Sequence, residues 1–391
     1  MRYFDHNATT RVDPEVIEVM IPFLQTHWGN PSSAYRFARP VKQALQQARA
    51  QVASLIRAQP EEILFTGCGT ESINTALHLG AMVGRGQRHA IVTLVEHEAN
   101  LRYAAYLESQ GWEITRLGVD GQGLLDPQAV KDAIREDTAM VSVMWANNET
   151  GVLLPIHDIA MCCRDRGILF HTDAVQAIGK IPVHVDEVPV DLLSLSAHKM
   201  NAPKGVGALY IRKGTPFAPF LYGGGQEAGR RAGTQNMAGI VGLGKAAELA
   251  SVRLSQKNQV GALRDHLEQG MLRSIPNLKV NGHPTLRLPN TSNVCFDGIE
   301  AEALLHQLDR LEVAASSGSA CSSGSLEPSH VLTAMGLSPR QALSSIRFSL
   351  GIETCQEEVD YLLQHLPEQV RRLRGYSVSY THLTLPTKRI V

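Results

Sequence analysis

Cysteine and aromatic side chains are scarce in this sequence: six cysteines in 391 residues, and 5% Phe, Trp and Tyr. Six thiols in so long a chain are too sparse for a disulfide scaffold, and no Cys-x-x-Cys pair occurs. An excess of one charge is missing too. The 37 Lys and Arg residues against 38 Asp and Glu leave −1, without the electrostatic footprint of a nucleic-acid or membrane-surface binder. No apolar run reaches the roughly 18 residues that a membrane span needs. The first residues, Met1-Arg2-Tyr3-Phe4-Asp5-His6-Asn7, lack the charged start and apolar stretch of a secretion signal. The expectation is a reduced, cytoplasmic enzyme with neither nucleic acid nor membrane among its partners.

What is present is a chain 43% hydrophobic, long enough for one large or two ordinary domains. Short apolar runs at 62–66, 89–95, 139–145, 167–172, 191–196 and 206–211 alternate with helix-like patterns such as 40–57 and 126–136. Their near-continuous hydrophobicity predicts strands buried on both faces, as in a mostly parallel α/β sheet. Residues 14–253 form the predicted large domain. A different pattern begins near Leu254, with amphipathic helices around 259–274 and 300–311, a strand at 291–296, and a last helix from 356 to a stop at Gly375. That predicts a smaller α+β domain over 254–375, joined by the N-terminal arm 1–13. Residues 376–391 continue no pattern and read as a disordered or foreign tail.

Several segments carry chemistry. Lys199 follows a buried apolar strand within Ser194-Leu195-Ser196-Ala197-His198-Lys199. Burial lowers an amine's pKa, and a neutral amine forms Schiff bases; a surface lysine at a strand end is the alternative. Ser196 and His198 offer anion-binding donors beside it. Asp173 ends the run Phe170-His171-Thr172, where a carboxylate needs a cationic partner such as a pyridinium nitrogen, or else serves as a helix N-cap. Gly67-Cys68-Gly69-Thr70 stands between a strand and a helix, a place where free N–H groups and the helix dipole favour phosphate, although Gly-rich turns without that use are common.

His97, at a strand end between Glu96 and Glu98, is placed to stack on a flat ring or to be an ordinary loop residue. On a strand the two carboxylates face the side opposite His97 and do not converge with it on one ion, so no metal is expected there. Cys321 lies among small polar residues at 316–325, with no apolar neighbour to make it a structural thiol. It suits a nucleophile that reaches a substrate and carries a product away; an incidental cysteine in a linker is the other reading. Arg347 alternates with Ile346 and Phe348, and either clamps a substrate carboxylate or faces solvent. The other five cysteines have no ligand spacing.

Together with Asn7-Ala8-Thr9-Thr10, Gly29-Asn30-Pro31-Ser32-Ser33, Asn147-Asn148-Glu149-Thr150-Gly151, Arg230-Arg231-Ala232-Gly233-Thr234 and Ser317-Gly318-Ser319-Ala320-Cys321, these segments resemble the class V, fold-type I pyridoxal-phosphate enzymes. Within them the sequence is most similar to the cysteine desulfurases of the nitrogen-fixation type, from Tyr3 to about Arg374. The resemblance implies a fold-type I α/β architecture and pyridoxal 5'-phosphate as cofactor. Lys199 would hold the cofactor and shuttle the α-proton, Asp173 would pair with its ring nitrogen, Gln176 with its hydroxyl, and His97 would stack on the ring. Gly69, Thr70, Ser196 and His198 would bind its phosphate, with Thr234 reaching the neighbouring subunit's phosphate in a homodimer. Asn148, also beside the cofactor, and Arg347 would hold the carboxylate of L-cysteine. Cys321 would take the sulfur as a persulfide, leaving alanine, and pass it to an acceptor or iron–sulfur scaffold protein.

This chain departs from the family pattern at a few places. His6 stands where Asn is usual, Ala197 where Gly is frequent, and Asn201-Ala202 where a residue-Gly pair precedes Pro203-Lys204-Gly205. Were position 202 to need φ > 0, its Ala would strain the loop by ~1 kcal/mol or more. Gly225 and Ala228 replace bulkier polar residues. None of these removes a catalytic group. A selenocysteine lyase, or another class V lyase or aminotransferase, is the alternative activity; an aminotransferase needs no thiol.

Overall fold

The computed structural model describes residues 1–84, 86–256, 259–317 and 327–380, with side chains described as far as Gly375. Its strands are β1 (Arg2–Tyr3), β2 (Ile63–Thr66), β3 (His89–Thr93), β4 (Glu113–Leu117), β5 (Thr138–Ser142), β6 (Leu169–Asp173), β7 (Leu192–Ser196), β8 (Gly207–Ile211), β9 (Leu278–Asn281), β10 (Thr291–Phe296), β11 (Val313–Ala314) and β12 (Ser345–Ser349). Seven of them form a sheet in the order β2-β8-β7-β6-β5-β3-β4. Only β8 runs against its neighbours; the other pairings are parallel.

Successive side chains of a strand face opposite ways, and both faces are filled here. Ile63 and Phe65 join a core with Val141, Phe170 and Leu193, while Leu64 joins Leu192 and Leu209 on the other side. The helix Gly69–Val83 covers the second face. The helices Arg39–Leu55 and Met237–Leu254 pack together beside the first, so closely that a Cβ at Gly244 would lie 2.6 Å from Ala48 Cα.

The strand β4 was not anticipated from the sequence. It is the sheet edge and carries Glu113, Thr115 and Arg116, which are at least partly exposed, so it lacks the continuous apolar run of its neighbours.

A second core gathers Leu267, Leu304, Ile346, Phe348 and Leu362 around the antiparallel sheet β12-β10-β9. Phe4 of the N-terminal arm is fully buried in it, and β1 pairs in parallel with β11. The last helix, Gln356–Tyr380, does not stop at Gly375 as expected. Glycine weakens a helix interior by about 1 kcal/mol but does not block it, and no proline follows before Tyr380. Residues 381–391 of the expected tail lie outside the described residues. No described helix is long and apolar enough to cross a membrane.

The expected strain at position 202 does not arise. The left-handed residue is Asn201, at φ 58°, where an asparagine is tolerated. Its backbone N–H donates to Thr10 Oγ1 and its side chain to the Arg11 carbonyl. Glu227 and Ala228 are also left-handed, at φ 49° and 57°. The turn is held by the buried Glu227 carboxylate, which accepts from both Arg49 terminal nitrogens (2.8 and 2.9 Å) and from the Phe65 N–H.

Candidate active site

The strands β2, β3, β5, β6 and β7 all end on the same edge of the sheet, and their outgoing turns make a crevice there, the usual place for ligands in an open α/β sheet. A cavity of about 340 Å³ occupies it. Gly69, Thr70, His97, Asn148, Asp173, Gln176, Ser196, His198, Lys199 and Arg347, ten of the residues singled out above, line that one cavity.

Lys199 closes a 3₁₀ turn, Ala197–Lys199, directly after β7. Its Nζ donates to the Asn7 and Ala8 carbonyls at 2.6 and 2.7 Å. Asp173 ends β6 and is 4% exposed; its Oδ1 accepts from the Val175 N–H at 2.9 Å. Burial raises its carboxyl above the usual range, and the charges of His97 and Lys199 oppose that rise. An acid so placed favours a further positive charge directly beside it. His97 caps the helix Glu98–Ser109, its Nδ1 accepting from the Ala99 N–H, so the neutral ring carries its proton on Nε2.

Beyond β2, Gly69 and Thr70 open the helix Gly69–Val83, whose first N–H groups are available to an anion. A Cβ at Gly69 would stand 3.2 Å from both Ser196 Cβ and Val175 Cγ2, so the backbone approaches here as only glycine allows without a shift. His198 is bonded through Nδ1 to Thr9 Oγ1 (3.1 Å), and burial, then Lys199 and Lys204, lower its pKa to about 4. It is neutral at pH 7.

Arg347 comes from β12 and is 3% exposed. Its Nη2 donates to Asp5 Oδ1 at 2.6 Å and its Nη1 to the Asn148 carbonyl at 2.9 Å, while buried Nε has no hydrogen-bond partner among the described residues. The guanidinium is thus aimed and partly unsatisfied, as a carboxylate clamp requires. Asp5 and Asn7 were missed as site residues. Asn7 was visible only as part of a motif, yet it touches Lys199, Gln176, Asn148 and Lys180.

Thr234 does not join them: it is exposed and not part of the cavity wall. Cys321 lies outside the described residues. The chain on either side of it is tied to the cavity rim. Ser316 exchanges backbone hydrogen bonds with Arg347 (2.7 and 3.3 Å), Ser329 Oγ donates to the buried Glu149 Oε2 (2.6 Å), and His330 bonds the Glu96 carbonyl (3.0 Å).

A lysine one turn beyond β7 and a buried acid at the end of β6 thus face one cavity beside a helix N-terminus, and a family model, aminotransferase class-V, matches residues 2–362. The chain belongs to the class-V aminotransferase family. This family member is 52% identical to cysteine desulfurase 2 of Trichormus variabilis over 375 residues, 96% of this chain and 94% of the relative. It is 50% identical to the cysteine desulfurase NifS of Azotobacter vinelandii over 378 residues, with the same coverage. Among solved structures, a NifS-like protein superposes with a TM-score of 0.90 at 39% identity, covering 95% of this chain and all of the other. The protein SspA, solved in complex with cysteine, superposes at 0.81 and 36% identity, covering 90% and 99%.

Proposed function

We propose that this protein is a pyridoxal-phosphate-dependent cysteine desulfurase, which turns L-cysteine into L-alanine and leaves the sulfur as a persulfide on Cys321. The observation that carries this reading is Asp173, a buried acid with its carboxyl raised by burial and no ion pair among the described residues, in one cavity with Lys199 and Arg347. A pyridinium nitrogen supplies a positive charge beside it. The donor set at Gly69, Thr70, Ser196 and His198 suits a phosphate dianion, with a neutral His198 as a donor. The residues present therefore fit the group.

When bound, the cofactor serves as the sink for electrons released at the substrate's α-carbon. Lys199 would hold it through Nζ and afterwards carry the α-proton; the Asn7 and Ala8 carbonyls hold that nitrogen at the cavity. Asp173 would keep the ring nitrogen protonated, Gln176 would donate to the ring oxygen, and His97 would cover the ring. Arg347 and Asn148 bind the substrate carboxylate. The Cys321 thiolate attacks the cysteine sulfur and the C–S bond breaks. The thiol proton balances the proton gained by the product, so cysteine plus one thiol gives alanine plus one persulfide.

The exposed Thr234 acts in this reading across a homodimer, on the phosphate held by a second copy. The persulfide sulfur goes to an acceptor or iron–sulfur scaffold, nitrogenase assembly included, in the cytoplasm. The chain is divided in this reading into a large unit over 14–253 and a smaller one over 254–375 that takes up the arm 1–13, with Leu288, Val331 and Leu332 of the smaller stretch packing into the larger core.

The test is to supply L-cysteine and a reductant, then measure alanine and sulfide for the wild type and Cys321→Ala. Equal alanine and sulfide, both lost in the variant, is the expected result. Alanine surviving in the variant would make the protein a lyase in which the thiol is accessory.

A further inference from the structure

One base beside the cavity has no part in the steps above. Lys180 sits four residues after Gln176 in the turn that follows β6. Its Nζ donates to Gln176 Oε1 at 2.6 Å and to Asn7 Oδ1 at 2.9 Å. An amine of this kind offers donors to both amides, and a charged one has no acceptor at all. Both amides turn their oxygens to it and their nitrogens away. The nitrogens do point elsewhere. Gln176 Nε2 donates to the Asn7 carbonyl at 3.0 Å, and Asn7 Nδ2 donates to Thr291 Oγ1 at 2.9 Å and the Asn148 carbonyl at 3.2 Å.

Those two acceptors matter, because the Asn7 carbonyl also receives Lys199 Nζ and the Asn148 carbonyl also receives Arg347. Gln176 and Asn7 line the cavity; Lys180 stands behind them. Among the described residues no ion pair with a carboxylate offsets its cost. Burial, then the charges of Lys199 and Arg347, push its amine well below the ordinary lysine range. The remaining titratable neighbour that feels it is His6. Around Lys199 itself stand Asp173 and His198.

We propose that Lys180 is a positioning residue: by holding the oxygens of Gln176 and Asn7 it makes Gln176 Nε2 a fixed donor to the ring oxygen of the bound cofactor. This rests on the reading under Proposed function and deepens it. Without Lys180 the Gln176 amide keeps only the Nε2 bond to the Asn7 carbonyl to orient it, and the flipped form that presents its oxygen becomes more populated. More negative charge then remains on the ring oxygen beside the Lys199 nitrogen, which keeps its proton to higher pH.

The test reads the pH midpoint of the cofactor-loaded protein's absorption change, which does not depend on turnover. Lys180→Met is expected to raise that midpoint by about half to one unit, a threefold to tenfold change in the proton equilibrium. Gln176→Leu should raise it similarly, and the double variant should exceed Gln176→Leu by less than about twofold in that equilibrium, since the two residues act as one unit. A wild-type midpoint in Lys180→Met, or an equal further rise in the Gln176→Leu background, overturns the proposal. Should Lys180→Met not fold by circular dichroism, Lys180→Gln takes its place, because its own carbonyl lets Gln176 flip. A raised midpoint there supports the proposal and an unchanged one sinks it. A wild-type protein in which borohydride traps no cofactor on Lys199 instead overturns the functional reading, and the inference with it.

Discussion

Burial, more than any neighbouring charge, sets the protonation of His6, His171 and His198. It lowers His6 to about 4, with Lys180 adding to the effect, and it alone lowers His171 to about 3. A histidine whose folded pKa lies below its unfolded value near 6.5 binds more protons unfolded between those two values. Stability therefore falls as pH drops from about 6.5 toward 4. His6 is 4% exposed and packs against Gly351, so its share between pH 7 and pH 5 is about 1–2 kcal/mol. Denaturant melts of wild type and His6→Asn at both pH values should show a smaller loss in the variant; equal losses would exclude His6 as a source. Arg347→Lys tests the other end of the site. It discards the fork that meets Asp5 and Asn148 and is expected to raise KM for L-cysteine about 30-fold, roughly 2 kcal/mol, with the cofactor content unchanged. Lys199, Asp173 and Arg347 were legible because their residue types are costly beside apolar strands. Asn7, Asp5 and Lys180 were not, because an amide, acid or base in a loop gains its meaning only from partners far along the chain.

Among the elements, the buried strands were readable as apolar runs, and the edge strand β4 was not. An edge has one hydrogen-bonded neighbour and tolerates Glu113 and Arg116, whose ion pairs with Arg135 and Glu108 lie at the surface. Gly375 marks the converse case, a stop signal that the helix overrides. Helix packing was also invisible in the sequence. Gly244 reads as a weak point in Met237–Leu254, yet it is where that helix meets Ala48. Because the atom met is backbone, Gly244→Val should cost about 1–3 kcal/mol, seen as a lower thermal and urea midpoint; an unchanged melt would mean that the two helices separate without penalty.

At the scale of the molecule, the cavity draws residues from both cores: Lys199, Asp173 and His97 from the turns of the large sheet, and Arg347 from β12. The arm residues Asp5, Asn7 and Ala8 lie between them and bond to both. Thr234 is the piece left out, and the proposed homodimer gives it a place. Mixing Lys199→Ala chains with Thr234→Val chains is then expected to restore one complete site per mixed dimer. Borohydride-trapped cofactor and activity above the sum of the separate variants would show it. No gain on mixing, with exchange of subunits verified, would place Thr234 outside a shared site.

The order of apolar runs determined the α/β class and the motifs the family, since strand burial and costly side chains leave local marks. The tertiary structure decided which backbone carbonyls hold Lys199, which amide faces which way, and that Asn201 rather than Ala202 bears the left-handed turn. Those outcomes depend on contacts between residues such as Asn7 and Lys180, 173 positions apart, which no local pattern encodes.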